Sequence, residues 1–108
     1  MATFKEIKFM LDQTITIEQL ERAANILKAI SHPIRIAILN HLDQHEKLTV
    51  TEIHEKLGIE QSTTSHHLGI LRDKGVLNSK REGKNTYYSL KSEKLNNLIA
   101  CINTCACD

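Results

Sequence analysis

The sequence predicts a mainly α-helical fold that carries one β-hairpin, and three observations point there. Apolar residues recur at helical spacing in several segments, most of which open on a Ser/Thr capping signal. A short helical segment and a longer one are joined through Gly58. After Gly75 the pattern changes from helical to alternating, the period of a strand. The 108 residues hold no repeat, low-complexity tract or linker, so residues 1–108 are expected to form one domain. With no tryptophan and only 4% aromatic residues, its core must be aliphatic. No apolar run approaches the roughly 18–20 residues of a membrane span, and Lys5, Glu6 and Lys8 do not fit a secretory signal. A cytoplasmic location with no membrane partner is expected.

Thr3 and Glu6 form a capping pair around Phe4, ahead of Ile7 and Leu11, and predict a short N-terminal helix. Thr16 and Gln19 form a second pair, opening a stripe of Ile17, Leu20, Ala24, Leu27 and Ile30. Ser31, His32 and Pro33 interrupt it, because proline disfavours helix at the preceding residue yet suits the first turn of a new one. The helix resuming over 34–42 offers Ile38, Leu39 and Leu42 to the core, and the polar stretch 43–47 reads as a loop. Thr49 and Glu52 cap a short helix with Val50, Ile53 and Leu57 inward, ended by Gly58. A longer helix follows over 61–74, with Thr64, Leu68 and Leu71 inward and Gly75 beyond its end. Short helix, glycine turn and longer helix together are the helix-turn-helix pattern. A hairpin wing is expected over 76–90, with its turn at Glu82, Gly83, Lys84 and Asn85. Tyr87 and Tyr88 fall on opposite faces of its second strand, one for the core and one over the wing base. Ser92 caps a last helix over 92–107 that carries Leu95, Leu98, Ile99 and Ile102 on one side.

Charge and side-chain chemistry suggest double-stranded DNA as the partner of this winged helix-turn-helix. The net charge of +1 conceals an asymmetry: residues 1–60 hold seven Lys/Arg against nine Asp/Glu, and residues 61–91 hold six against two. A local cationic excess is what a polyanion selects, although a solvated basic face would look the same. A helix that enters the major groove needs short polar side chains able to reach base edges. Gln61, Ser62, Thr63, Ser65 and His66 form such an outward face. Gln61 offers an amide that can pair bidentately with adenine, while the hydroxyls and the imidazole can reach bases or phosphates. An ordinary surface helix would more usually carry Glu and Lys there, since Ser62-Thr63-Thr64-Ser65 has poor helix propensity. Lys80, Arg81 and Lys84 surround the wing turn and suit phosphates or the neighbouring minor groove.

Three stretches, 27–42 (LKAISHPIRIAILNHL), 48–75 (LTVTEIHEKLGIEQSTTSHHLGILRDKG) and 81–90 (REGKNTYYSL), resemble the ArsR/SmtB family of small bacterial winged-helix repressors. They match in order and spacing and cover about half the chain. The resemblance implies a homodimer built from the first and last long helices, binding as a repressor to an operator and released by an inducer. The dimer also has an argument of its own. The helices beginning at Ile17 and Ser92 carry apolar stripes that so short a chain cannot easily cover. Two-fold symmetry would present two reading helices to a pseudo-palindromic site.

At the family's sensor positions the sequence departs from the pattern. Where metal-sensing members carry a cysteine pair at the start of the short helix, this chain has Thr49 and Thr51. Where others carry Asp/His pairs on the last helix, it has Ser92, Lys94, Cys105 and Asp108. What remains is Cys101, Cys105 and Cys107, all in the last eight residues, an odd number that argues against an internal disulfide framework. Cys101 and Cys105 share a helical face. Three thiolates suit a thiophilic metal or metalloid ion such as arsenite, and zinc or cadmium would add a fourth ligand from Asp108 or a partner chain. Alternatives are a redox or persulfide switch on two of these thiols, or simple packing of Cys105 in line with Leu98 and Ile102. His32 reads as a helix cap or a surface residue, and His67 as packed beneath the reading helix. An enzyme would need an activated cysteine in a pocket, and the sequence offers no Cys-x-x-Cys, phosphate loop or paired acid and base, so the chain is read as non-enzymatic. The remaining class is a winged-helix protein-interaction module, distinguished by its failure to bind any duplex at low salt.

Overall fold

A computed structural model describes residues 15–107, apart from the side chain of Cys107. The helix expected around Phe4, Ile7 and Leu11 lies outside the described residues. Eight elements follow one another: α1 (Ile17–Ile30), α2 (Pro33–Gln44), β1 (Leu48–Thr49), α3 (Val50–Leu57), α4 (Gln61–Asp73), β2 (Leu77–Glu82), β3 (Asn85–Leu90) and α5 (Lys94–Cys107).

Local chemistry sets most of the boundaries. At the start of α1 the Thr16 hydroxyl accepts from the Gln19 backbone N–H at 3.1 Å, and the Gln19 side chain accepts from the Thr16 N–H at 2.9 Å. Thr49 and Glu52 repeat this arrangement at the start of α3, at 3.1 and 3.0 Å. His32 takes extended backbone before Pro33, and its Nδ1 accepts from the Ile34 N–H at 3.1 Å. It caps α2, as the sequence suggests. Gly58 closes α3 in the left-handed region at φ 68, where a side chain would be strained. The last helix begins at Lys94 rather than at Ser92, whose hydroxyl accepts from the Lys94 N–H at 3.2 Å. The reading helix ends at Asp73, with Lys74 as its C-cap.

One strand was not legible in the sequence. Leu48 and Thr49 pair antiparallel with Tyr88 and Tyr87, so the sheet has three strands in the order β1-β3-β2. Two residues are too few to display a period of their own, and their partners lie far along the chain. β2 and β3 pair in register from Leu77 with Leu90 to Glu82 with Asn85.

The core lies where α2, α3, α4 and the sheet meet. Ile38, Leu39, Leu42, Ile53, Leu68, Leu71, Val76 and Leu77 are buried there, with Tyr88 as its aromatic member and Ile99 from α5. Burying each large aliphatic side chain contributes about 1.5–3 kcal/mol before entropy is counted. Helix α1 is different. Only Ala29 and Ile30 in its last turn are buried, while Ile17, Leu20 and Leu27 of the expected stripe are exposed. Among the described residues no helix is long and apolar enough to cross a membrane.

Candidate nucleic-acid interface

The sequence of α4 divides its two faces cleanly. Thr64, His67, Leu68 and Leu71 are buried, and the Thr64 hydroxyl is satisfied by donating to the Glu60 carbonyl at 3.0 Å. On the other side Gln61, Ser62, Ser65 and His66 are exposed and Thr63 is half-buried. Glu60 precedes the helix in extended conformation without a side-chain capping bond. The N–H groups of the first turn therefore keep their capacity to donate, at the positive end of the helix dipole.

The wing turns through Gly83 and Lys84, with Gly83 at φ 64 as a tight hairpin requires. Lys80 stands opposite Tyr87 and Arg81 opposite Thr86, so these neighbours project from opposite faces of the sheet. Tyr88 is the buried tyrosine, and Lys47 covers Tyr87 with its ammonium 4.6 Å from the ring centroid. The same ammonium donates to Glu82 at 2.7 Å. That hydrogen bond holds the Glu82 carboxyl below its ordinary pKa and raises that of Lys47. The acidic residue of the wing is thus matched by Lys47. Lys80, Arg81 and Lys84 are exposed and have no ion-pair partner among the described residues.

A groove of about 160 Å³ joins the two halves of this surface, lined by Thr49 and Thr51 at the start of α3, Gln61 at the start of α4, and Lys84, Asn85 and Thr86 on the wing. The fold therefore brings Gln61 and Lys84 to one site. It also adds Thr51 and Asn85, both exposed, to which the sequence assigns no part in the DNA face. Thr51 could have been found from its place in the first turn of a capped helix. Asn85 reads in the sequence only as turn chemistry.

Cys101 and Cys105 are exposed, one helical turn apart on α5. Among the described residues no three His, Cys, Asp or Glu side chains converge as a metal would require.

A short helix, a glycine turn, a longer helix with a polar outer face and a cationic hairpin define a winged helix-turn-helix protein. The profile described as "Bacterial regulatory protein, arsR family" matches residues 32–79. The chain is 40% identical to the transcriptional repressor PagR of Bacillus anthracis, over 86% of this chain and 93% of that protein. The chain belongs to the arsR family. It is also 34% identical to a biofilm growth-associated repressor of Xylella fastidiosa, over 91% of each chain. The crystal structure of PagR superposes with a TM-score of 0.75 at 39% identity, covering 81% of this chain and 99% of PagR. A homodimeric winged helix-turn-helix DNA-binding domain from Mycobacterium bovis, solved in solution, gives 0.74 at 27% identity, covering 87% of this chain and 89% of that domain. The family and these relatives are transcriptional regulators.

Proposed function

We propose that the protein is a homodimeric transcriptional repressor that binds a pseudo-palindromic operator. Gln61, Ser62, Thr63, Ser65 and His66 enter the major groove, and Lys80, Arg81 and Lys84 engage phosphates or the flanking minor groove. The observation that carries this reading is the groove shared by Gln61 and Lys84, which lets a base-reading amide and a phosphate-binding ammonium act on one duplex. Dimerisation is supported by the exposed Ile15, Ile17, Leu20 and Leu27. They accompany an apolar hollow of about 480 Å³ between α1 and α5, lined by Ile26, Val76, Leu95 and Leu98 among others. A second copy would withdraw this surface from water.

For the inducing signal the candidate ligands are Cys101, Cys105 and Cys107. The exposure of the first two, one turn apart, supports a thiophilic ion or metalloid such as arsenite. Two thiols leave such an ion one sulfur short, and Cys107 or the second protomer would supply the third.

The test is salt-dependent binding of the full chain to operator duplex. Lys84→Ala is expected to weaken binding across all sequences and to lower the salt slope by about one, whereas Gln61→Ala relaxes preference at particular base pairs by roughly 1–3 kcal/mol. Failure to retain any duplex at low salt would favour a protein-interaction module. Affinity untouched by both changes would mean that the DNA face lies elsewhere.

A further inference from the structure

One buried polar group on the reading helix takes no part in the DNA face. His67 lies on the inner side of α4 and is only 7% exposed. Its Nδ1 accepts from the Arg35 Nε–H at 3.1 Å. The same guanidinium donates through a second nitrogen to the Ala29 carbonyl at 2.9 Å. Arg35 stands on α2, so a single side chain ties the last turn of α1 to the middle of α4. The His32 ring lies 4.7 Å from that of His67, centroid to centroid, and the His66 ring lies 5.4 Å away, edge-on.

An arginine can only donate, so its bond to His67 exists only while Nδ1 carries no proton. The charged and titratable groups facing His67 are His32 and Arg35 at the start of α2 and His66 on its own helix. Burial first, and then these three groups, hold His67 below its ordinary pKa of 6.5. From α1, the group that reaches this cluster is the Ala29 carbonyl, through Arg35. The three imidazoles do not form a metal site. The Nδ1 atoms of His67 and His32 already accept from Arg35 and from the Ile34 N–H, and a guanidinium stands beside them.

We propose that Arg35 and His67 are positioning residues that fix the angle of the reading helix against α1, and that the DNA-binding pose requires a neutral His67. This rests on the proposed function, in which α1 meets the second copy. A change in how α4 sits on α1 then alters the separation of two reading helices, and an operator fixes that separation. The sign is distinctive. Exposed histidines that gain charge in acid tighten binding to a polyanion. Loss of the Arg35–His67 bond works in the opposite direction, weakening binding as pH falls through the lowered pKa of His67.

The test measures operator affinity of the full chain from about pH 8 to about pH 5.5 at constant ionic strength. Wild type is expected to lose roughly 10- to 100-fold as His67 protonates, the worth of a hydrogen bond to a charged group. His67→Asn keeps an acceptor close to the place of Nδ1 and cannot titrate. It is expected to bind like wild type near neutral pH and to show no acid loss, while His67→Leu binds weakly throughout. Acid loss that persists in His67→Asn overturns the proposal, as does wild-type binding that holds or tightens once His67 is protonated. A readout without DNA separates this failure from failure of the functional reading. Imidazole nitrogen NMR of the free protein should show Nδ1 of His67 unprotonated near neutral pH. The amides around Ala29 should shift with the titration of His67, and amides that stay still overturn the coupling even if no duplex is ever bound.

Discussion

Gly69 weakens a helix that already opens on poor helix formers. It lies seven residues after Ser62 and four after Ser65, on the outward stripe of α4. Unlike Gly58, Gly75 and Gly83 it does not adopt a positive φ, and a Cβ built on it would meet nothing within 4 Å. Nothing within the described chain therefore calls for a glycine here. Gly69→Ala should recover the full difference in helix propensity, about 0.8–1.0 kcal/mol, partly by restricting the unfolded chain. In a domain of this size 1 kcal/mol corresponds to roughly 4–8 °C in Tm. Thermal melts must compare both proteins at one concentration, since the stability of a dimer depends on it. The added methyl would also stand at the C-terminal edge of the surface assigned to the major groove, one turn beyond Ser65, so operator affinity is expected to fall while Tm rises. An unchanged or lower Tm refutes the claim that this position is unstrained. A higher Tm with unchanged affinity refutes the assignment of that stripe to DNA.

Three further outcomes are expected. Thr49→Ala removes one arm of the α3 capping box and should cost about 0.5–2 kcal/mol, read from denaturant unfolding. The other arm carries a pH signature. Hydrogen bonds from the Thr49 backbone first, and then from its hydroxyl, hold the Glu52 carboxyl below its ordinary value of 4.5. Its contribution is therefore present above that value and lost as pH falls through the lowered one, so wild type and Glu52→Gln should converge in acid. The combined Cys101→Ser, Cys105→Ser and Cys107→Ser variant should bind operator like wild type yet no longer release it with arsenite. Release that persists would exclude these thiols as the sensor.

What was legible in the sequence was local. The capping boxes at Thr16 and Thr49, the left-handed Gly58 and the hairpin turn at Gly83 each involve groups within a few residues of one another, so spacing alone locates them. The buried face of α4 was legible for a similar reason, because Thr64, Leu68 and Leu71 recur at the helical period. What escaped depends on distant parts of the chain meeting. Strand β1 exists because β3 accepts it, and Arg35 finds His67 across 32 residues. The sequence carries them only as an arginine and one histidine among several. Lys47 reads as one more loop cation until the fold lays it over Tyr87 and against Glu82.

Helix α1 marks the limit of periodicity as a guide. Its stripe reads as a helix face that must leave water, and Ile17, Leu20 and Leu27 are 71%, 49% and 52% exposed. A repeating apolar pattern states that a face will be covered, without stating whether its own chain or another covers it. Among the described residues nothing covers this stripe, and exposure divides the helix along its length. The last turn, with Ala29 and Ile30 buried and the Ala29 carbonyl held by Arg35, belongs to this chain's own core. The earlier turns offer their apolar side outward. One rigid helix would thus join a second protomer at one end and anchor the reading helix at the other, so an event at the dimer surface has a short mechanical path to α4. That path runs through Arg35 and His67.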